Sequence, residues 1–259
     1  MERVIPEVLW RIDVLKNMRL DRFLSNSGLG SRKEVKAIIK GLRVSVDNNV
    51  IKNPGYIINP SKSQVMVDNK PVVYKEFYYL MLNKPAGVIS ATRDDLHQTV
   101  VDLLPSQYGH LNLFPVGRLD KDTEGLLILT NDGQLAHRVL SPKRQVPKTY
   151  YAIIDGKVSF EDIELFQRGI KLDDNFTTLP AQLSIFVSCE TSKVHVTIFE
   201  GKYHQVKRMF EAVGKKVLYL KRISMGNLSL DKELPLGQVR ELSQEELALL
   251  DVSNGNNNH

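Results

Sequence analysis

The stretch Gly117-Arg118-Leu119-Asp120-Lys121-Asp122-Thr123-Glu124-Gly125-Leu126-Leu127-Ile128-Leu129-Thr130-Asn131-Asp132-Gly133 sets five charged side chains between two glycines and then runs into an uninterrupted apolar segment. The apolar residues Leu126 to Leu129 are continuous rather than alternating, so a strand made of them has both faces covered. A loop fixed to such a strand displays its side chains from a rigid support. Asp120 therefore stands just outside a buried strand. A carboxylate in that position can act as nucleophile or base if a cation keeps it ionised while the surroundings exclude water. Arg118, Lys121, Lys207 and Arg208 are the available cations. On residue types alone a second reading stays open, in which Asp120, Asp122 and Glu124 decorate a solvated turn.

Toward the C-terminus, Gln134 to Leu140 reads as a helix stopped by Ser141-Pro142, and Lys148 to Ile154 as a strand. Ser159 with Asp162 opens a helix through Phe166. Val194, Val196 and Ile198 alternate with His195, Thr197 and Phe199 as in a half-buried strand. The next helix has Val206, Met209, Phe210 and Val213 on one stripe, with His204, Lys207, Arg208 and Glu211 outside it. Val217 to Ile223 is expected as a strand, Leu234 to Leu242 as an extended segment, and Ser243 with Glu246 as the cap of a last helix. Toward the N-terminus, Phe77 to Leu82 reads as a strand, Asn83-Lys84-Pro85-Ala86-Gly87 as a turn into Val88 to Ala91, and Thr99 to Leu104 as a brief helix. This mixture predicts an α+β domain built on a sizeable sheet over residues 77–250. Residues 251–259 read as a polar, disordered tail.

Residues 18–76 form a smaller unit of α and β elements. Leu20, Phe23 and Leu24 recur at helical spacing until Ser27-Gly28, and Ser31 with Glu34 makes a capping box for a helix striped by Val35, Ile38, Ile39 and Leu42. Short strands follow around Asp47-Asn48-Asn49 and Asp68-Asn69. The unit has eleven Lys/Arg against five Asp/Glu, a balance of +6 where the whole chain carries +5. Arg32, Lys33, Lys36, Lys40 and Arg43 lie off the apolar stripe of the second helix. A solvated face is one reading of them; phosphate binding is favoured because the basic face and the loop Ser25 to Ser31 share one side of a compact unit. Residues 1–17 read as an N-terminal extension.

Composition narrows the function classes. Cys189 is the only cysteine, which excludes an intramolecular disulfide and a cysteine-based zinc site. The six histidines are scattered without the spacing of a zinc hydrolase, and no glycine-rich phosphate loop or Ser/His/Asp arrangement is present. No run approaches the roughly 18 apolar residues that a membrane span needs. A cytoplasmic protein is expected, and no metal pattern emerges. Tyr150 is either a core tyrosine or a platform on which an unpaired base stacks.

Met18 to Leu24, Gly28-Leu29-Gly30-Ser31-Arg32 and Gly41 to Val46 resemble the S4-type RNA-binding domain. That resemblance implies an RNA-contacting face at Arg19, Arg22, Ser31, Arg32, Lys33 and Lys36. Gly117-Arg118-Leu119-Asp120, Asn83 to Gly87, Glu200 to Phe210 and, more weakly, Lys148-Thr149-Tyr150 and Pro235-Leu236-Gly237 resemble the pseudouridine synthases that modify single uridines in ribosomal RNA. The resemblance implies a mainly antiparallel catalytic domain of that type and chemistry without cofactor or metal. It makes Asp120 the essential aspartate, Tyr150 the residue stacked on the target base and Lys207 the cation paired with Asp120. Arg118 would hold the flipped nucleotide or its phosphate, with Lys84, His204, Gln205 and Arg208 as further substrate contacts. Gly201 to Met209 and Lys148 to Tyr150 are most similar to the enzymes acting on small-subunit rRNA. The expected partner is ribosomal RNA or a partially assembled ribosomal subunit, met by a monomer. A large-subunit enzyme, a non-catalytic assembly factor and a nucleoside hydrolase are the alternatives.

Overall fold

The computed structural model describes residues 16–250, so the expectations for residues 1–15 and for the tail 251–259 lie outside the described residues. The chain divides into two compact units: one takes residues up to Glu76 together with Ser106–Leu111, the other Phe77–Pro105 and the residues from Asn112 onward.

The small unit contains β1 (Met18–Arg19), α1 (Leu20–Asn26), α2 (Arg32–Lys40), β2 (Val44–Val46), β3 (Asn49–Val50), β4 (Ile57–Ile58), β5 (Val65–Val67) and β6 (Lys70–Pro71). Leu20, Phe23 and Leu24 of α1 and Val35 and Ile39 of α2 meet Val44, Val46, Ile58, Val65 and Val67 in one core. Such a core forms because each helix offers a single apolar stripe and each strand one apolar face. The capping box is made as expected: the Ser31 amide donates to Glu34 Oε2 at 2.7 Å, and the Glu34 amide to Ser31 Oγ at 3.4 Å. Asp47 and Asn48, and again Asp68 and Asn69, adopt positive φ, the backbone that tight hairpins between twisted strands require.

The large unit is organised on a nine-stranded sheet. Its strands are β7 (Tyr79–Lys84), β8 (Phe114–Pro115), β9 (Glu124–Thr130), β10 (Lys148–Asp155), β11 (Gln182–Val187), β12 (Thr191–Ile198), β13 (Lys216–Met225), β14 (Leu228–Ser229) and β15 (Val239–Glu241). The main order is β11-β12-β10-β13-β9-β7-β15, with β14 on β13 and β8 on β9. All pairings are antiparallel except β9 with β13. The helices are α3 (Gly133–Leu140), α4 (Phe160–Arg168), α5 (Gln205–Ala212) and α6 (Gln244–Leu250). Leu126, Leu127, Ile128 and Leu129 are each fully buried, so the central strand is covered on both faces as its continuous apolar run predicts.

Several local expectations change. Asn83 and Lys84 do not belong to a turn; they extend β7 opposite Leu126 and Gly125, because both side chains are buried and the ladder continues until Pro85 ends it. Val88 to Ala91 contributes a single bridge, Ile89 with Thr99, instead of a strand. Thr99 to Leu104 forms successive turns, Asp102 to Thr99 and Leu104 to Val101, and Pro105 stops them from growing into a helix. Of Leu234 to Leu242 only Val239–Glu241 is strand; Pro235 to Gly237 is occupied by a turn with Gly237 at φ 79°.

Candidate active site

The loop before β9 is held in place almost entirely through its backbone. Ser90 Oγ donates to Leu119 O at 2.8 Å and accepts from the Leu119 amide at 3.0 Å. Thr123 N donates to Asp120 O at 3.1 Å, and Gly87 N to Lys121 O at 2.8 Å. Lys84, fully buried at the end of β7, points its ammonium into this loop and donates to the carbonyls of Pro85, Asp120, Lys121 and Thr123 at 2.9–3.3 Å. Burial pushes Lys84 down to about 8, with Asp122, Asp120 and Glu124 opposing the shift. Lys84 was expected among the substrate contacts; the structure corrects this, because its fully buried side chain, enclosed by four carbonyls, braces the loop and does not line the cavity beside Asp120.

Gly125 fixes the other end of the loop. At φ 102° its backbone passes so close to β13 that a Cβ would lie 2.2 Å from Arg222 O and 2.8 Å from Arg222 N. Only a glycine permits the one parallel pairing of the sheet, Glu124 with Lys221 and Gly125 with Arg222.

Asp120 and Tyr150 line a cavity of about 540 Å³. Its floor is one face of the sheet: Lys148 and Tyr150 of β10 and Leu220 and Arg222 of β13. Tyr150 and Arg222 are direct cross-strand partners, so their side chains rise from the same face. Arg118, exposed, stands at the rim beside Asp120, and Lys202 to Val206 close another side. The volume suits a nucleoside-sized ligand.

Across the loop stands the start of α5. His204 takes a left-handed backbone, φ 47° and ψ 32°, as its N-cap. This uncommon conformation for a non-glycine residue puts the imidazole Nε2 3.7 Å from Asp120 Oδ1. Tyr203 stacks on the imidazole with centroids 3.8 Å apart. Lys207 Nζ lies 3.6 Å from Asp120 Oδ2 but only 2.6 and 2.7 Å from the two carboxylate oxygens of Asp122. The pairing expected between Lys207 and Asp120 is thus shared, and the tighter contact goes to Asp122. Partial burial works to raise the Asp122 carboxyl, and the Lys207 ammonium overcomes it and holds the group below the usual carboxylate range.

Two further site expectations change. Gln205 borders the cavity, but its amide is occupied at the helix start: Oε1 accepts from Lys202 N at 2.9 Å and Nε2 donates to Glu200 at 3.1 Å. Arg208 points away, pairing with Asp173 and Asp174, because residues adjacent on a helix face about 100° apart. In the small unit Arg22, Arg32, Lys33 and Lys36 are exposed. Arg19 is clamped to Asp21 at 2.8 Å, and the Ser31 hydroxyl is the helix cap. Sequence reasoning missed Ser90, Lys148, Leu220 and Arg222. Lys148 sits two residues before Tyr150 on one strand, and that period-two spacing was the available signal for it. Among the described residues no group of three His, Cys, Asp or Glu could hold a metal ion, and no helix is long and apolar enough to cross a membrane.

Comparison with known proteins agrees with this arrangement. Residues 78–212 match the family of RNA pseudouridylate synthases and residues 18–63 the S4 domain. An uncharacterized RNA pseudouridine synthase of Bacillus subtilis is 53% identical over 234 residues, covering 90% of this chain and 98% of the relative. Ribosomal small subunit pseudouridine synthase A of Escherichia coli is 38% identical over 233 residues, covering 89% and 99%. The namesake protein of Yersinia pestis is 40% identical, covering 89% and 97%. A crystal structure of a pseudouridylate synthase, 34% identical, superposes with a TM-score of 0.63 over 90% of this chain and 99% of the other. With an aspartate held at a sheet-floored cavity, an S4 domain before it, and relatives matching nearly end to end, the chain belongs to the RNA pseudouridylate synthase family.

Proposed function

We propose that this pseudouridine synthase acts on a uridine of small-subunit ribosomal RNA, as the names of its relatives from Escherichia coli and Yersinia pestis indicate for those proteins. Asp120 carries the reading: its carboxylate faces the cavity with His204 and Lys207 on either side. The Lys207 ammonium and the His204 imidazole bracket that carboxylate at 3.6 and 3.7 Å. Asp120 is the essential carboxylate at the sugar, Tyr150 the stacking surface for the flipped base, and Arg118 the anchor for nucleotide or phosphate. Lys207, held by Asp122, supplies the charge that Asp120 needs. Lys207 Nζ at 3.6 Å from Asp120 Oδ2 is within reach of a direct contact.

The basic face of the S4 unit supplies sequence-independent affinity for the RNA backbone. The protein works as a monomer in the cytoplasm, on naked rRNA or on a partially assembled subunit. The test is tritium release from rRNA labelled at uridine carbon 5, with wild type beside Asp120→Ala. Wild type is expected to release tritium at one mapped nucleotide, and the variant to release none while still binding RNA. No release by wild type from rRNA or from a partial subunit would sink the proposal.

A further inference from the structure

The floor of the cavity carries two cations that the site described so far does not use. Arg222 is 1% exposed. Its Nε donates to Leu126 O at 2.8 Å, while Nη2 is buried with no hydrogen-bond partner among the described residues. Lys148, also buried, gives one of its three donors to Val146 O at 2.8 Å. No carboxylate of the described residues lies within ion-pair distance of either, and burial together with the neighbouring Arg222 pushes Lys148 down to about 8, with Glu200 opposing. Buried donors without acceptors are costly to keep, so the unpartnered Arg222 Nη2, with the singly bonded Lys148 ammonium beside it on the floor of one cavity, calls for a ligand that supplies acceptors.

Resting on the uridine-isomerisation reading above, we propose that Arg222, assisted by Lys148, is a catalytic residue that binds the carbonyl edge of the target pyrimidine and stabilises the negative charge on that ring once it has left the sugar. Position argues for the base over a phosphate. Arg222 is the direct cross-strand partner of Tyr150, so a ring stacked on Tyr150 presents its edge to the guanidinium. The phosphates of an RNA chain belong at the rim, where Arg118 and Lys202 are exposed.

The reaction then gives the pair a role beyond binding. When the bond from C1′ to N1 breaks, its electron pair stays with the ring, which becomes an anion with charge spread over N1 and both carbonyl oxygens. C5 of the anion then gives an electron pair to C1′, which neutralises the ring; the proton on C5 leaves and N1, freed from the sugar, takes one up, so the product ring is neutral. Donors at the carbonyl oxygens bind substrate and product moderately and the intermediate anion more strongly, which is the condition for lowering the barrier. The Nε tie to Leu126 O fixes the guanidinium beforehand, so little reorganisation is needed during the reaction.

Single-turnover tritium release and RNA affinity, measured on wild type, Arg222→Gln, Arg222→Lys and Lys148→Met, test the assignment. Arg222→Gln should lose about 10²-fold to 10³-fold in rate, the usual cost of deleting one preorganised donor. Its RNA Kd should stay within about threefold of wild type, and Arg222→Lys should recover at least about tenfold of the lost rate. Lys148→Met should lose about tenfold. A full-rate Arg222→Gln, or rate and affinity falling together in folded protein, would overturn the assignment. If Arg222→Gln does not fold, the decision passes to Lys148→Met and Arg222→Lys, and wild-type rates in both would overturn it equally. An inactive wild type would overturn the isomerase reading and this inference with it; an active wild type with an unaffected Arg222→Gln overturns this inference alone.

Discussion

On α2, Arg32, Lys33 and Lys36 stand exposed, with no ion-pair partner among the described residues. Around the Asp120 loop and cavity, Lys84, Lys148 and Arg222 are buried and Lys207 is half-buried, and each is held by named acceptors. The first group is mobile, screened by salt and interchangeable, as suits contact with a repeating phosphate chain. The second is singular: each cation has one geometry, and moving it by an ångström changes what it can do. Family membership alone does not separate the two kinds of charge. Burial does.

The comparison is sharpest at Lys207. Lys207→Met should lower the rate of tritium release by about 10²-fold to 10³-fold while leaving RNA Kd within about threefold, since the ammonium is engaged by Asp122 and lies beside Asp120. Equal losses of rate and affinity would place Lys207 with the phosphate-binding cations and break the division.

Gly125→Ala is next in size. Its Cβ would overlap the backbone of Arg222, which cannot yield as a flexible side chain could, so a loss of about 3 kcal/mol in stability is expected from urea unfolding. A variant as stable as wild type would mean that the parallel pairing of β9 with β13 is not the joint that seats the loop.

Lys84→Met should cost about 2 kcal/mol, because its removal leaves buried loop carbonyls without a donor. It also alters pH dependence. The folded state lets Lys84 and Lys148 lose their protons near pH 8, below the ordinary lysine value of 10.5. Between those values the unfolded chain binds more protons, so stability rises with pH. Below pH 8 both states are charged and the burial penalty is constant. Urea midpoints taken from pH 8 to pH 10 should climb in wild type and climb less in Lys84→Met or Lys148→Met. A falling midpoint over that range would contradict the assigned shifts.

The smallest effect belongs to the exposed set. Replacing Lys33 and Lys36 by alanine should weaken RNA binding equally for all sequences and flatten the slope of log affinity against log salt by about 0.7 to 0.9 per lost phosphate contact. Stability and single-turnover rate on saturating RNA should not change. A rate loss here would show that the exposed cations position the nucleotide as well as attract the chain.

Helices were legible wherever their signals are local. Ser31 with Glu34, Ser159 with Asp162 and Ser243 with Glu246 each announce a start, and α2, α4 and α6 begin there. The central strand was equally legible, since Leu126 to Leu129 admits only a doubly covered position. The segment from Asn83 to Gly87 misled because Pro85 and Gly87 look like a turn throughout, although Asn83 and Lys84 are still in the ladder. Lys84 as a brace, Asp122 as the tighter partner of Lys207, and Arg222 beneath Tyr150 were not legible. Each depends on which residues face each other across strands or loops 36 or more positions apart, and no local pattern carries that information.

By itself, the amino-acid sequence determined the central buried strand and the charged loop before it, because periodicity and charge density act over a few residues at a time; the choice of Asp120 among that loop's carboxylates came from the family resemblance. Only the tertiary structure decided which cation serves which carboxylate and which donors underlie the cavity. Ion pairs and buried hydrogen bonds are settled within about 4 Å, and that distance is set by a sheet register joining residues far apart along the chain.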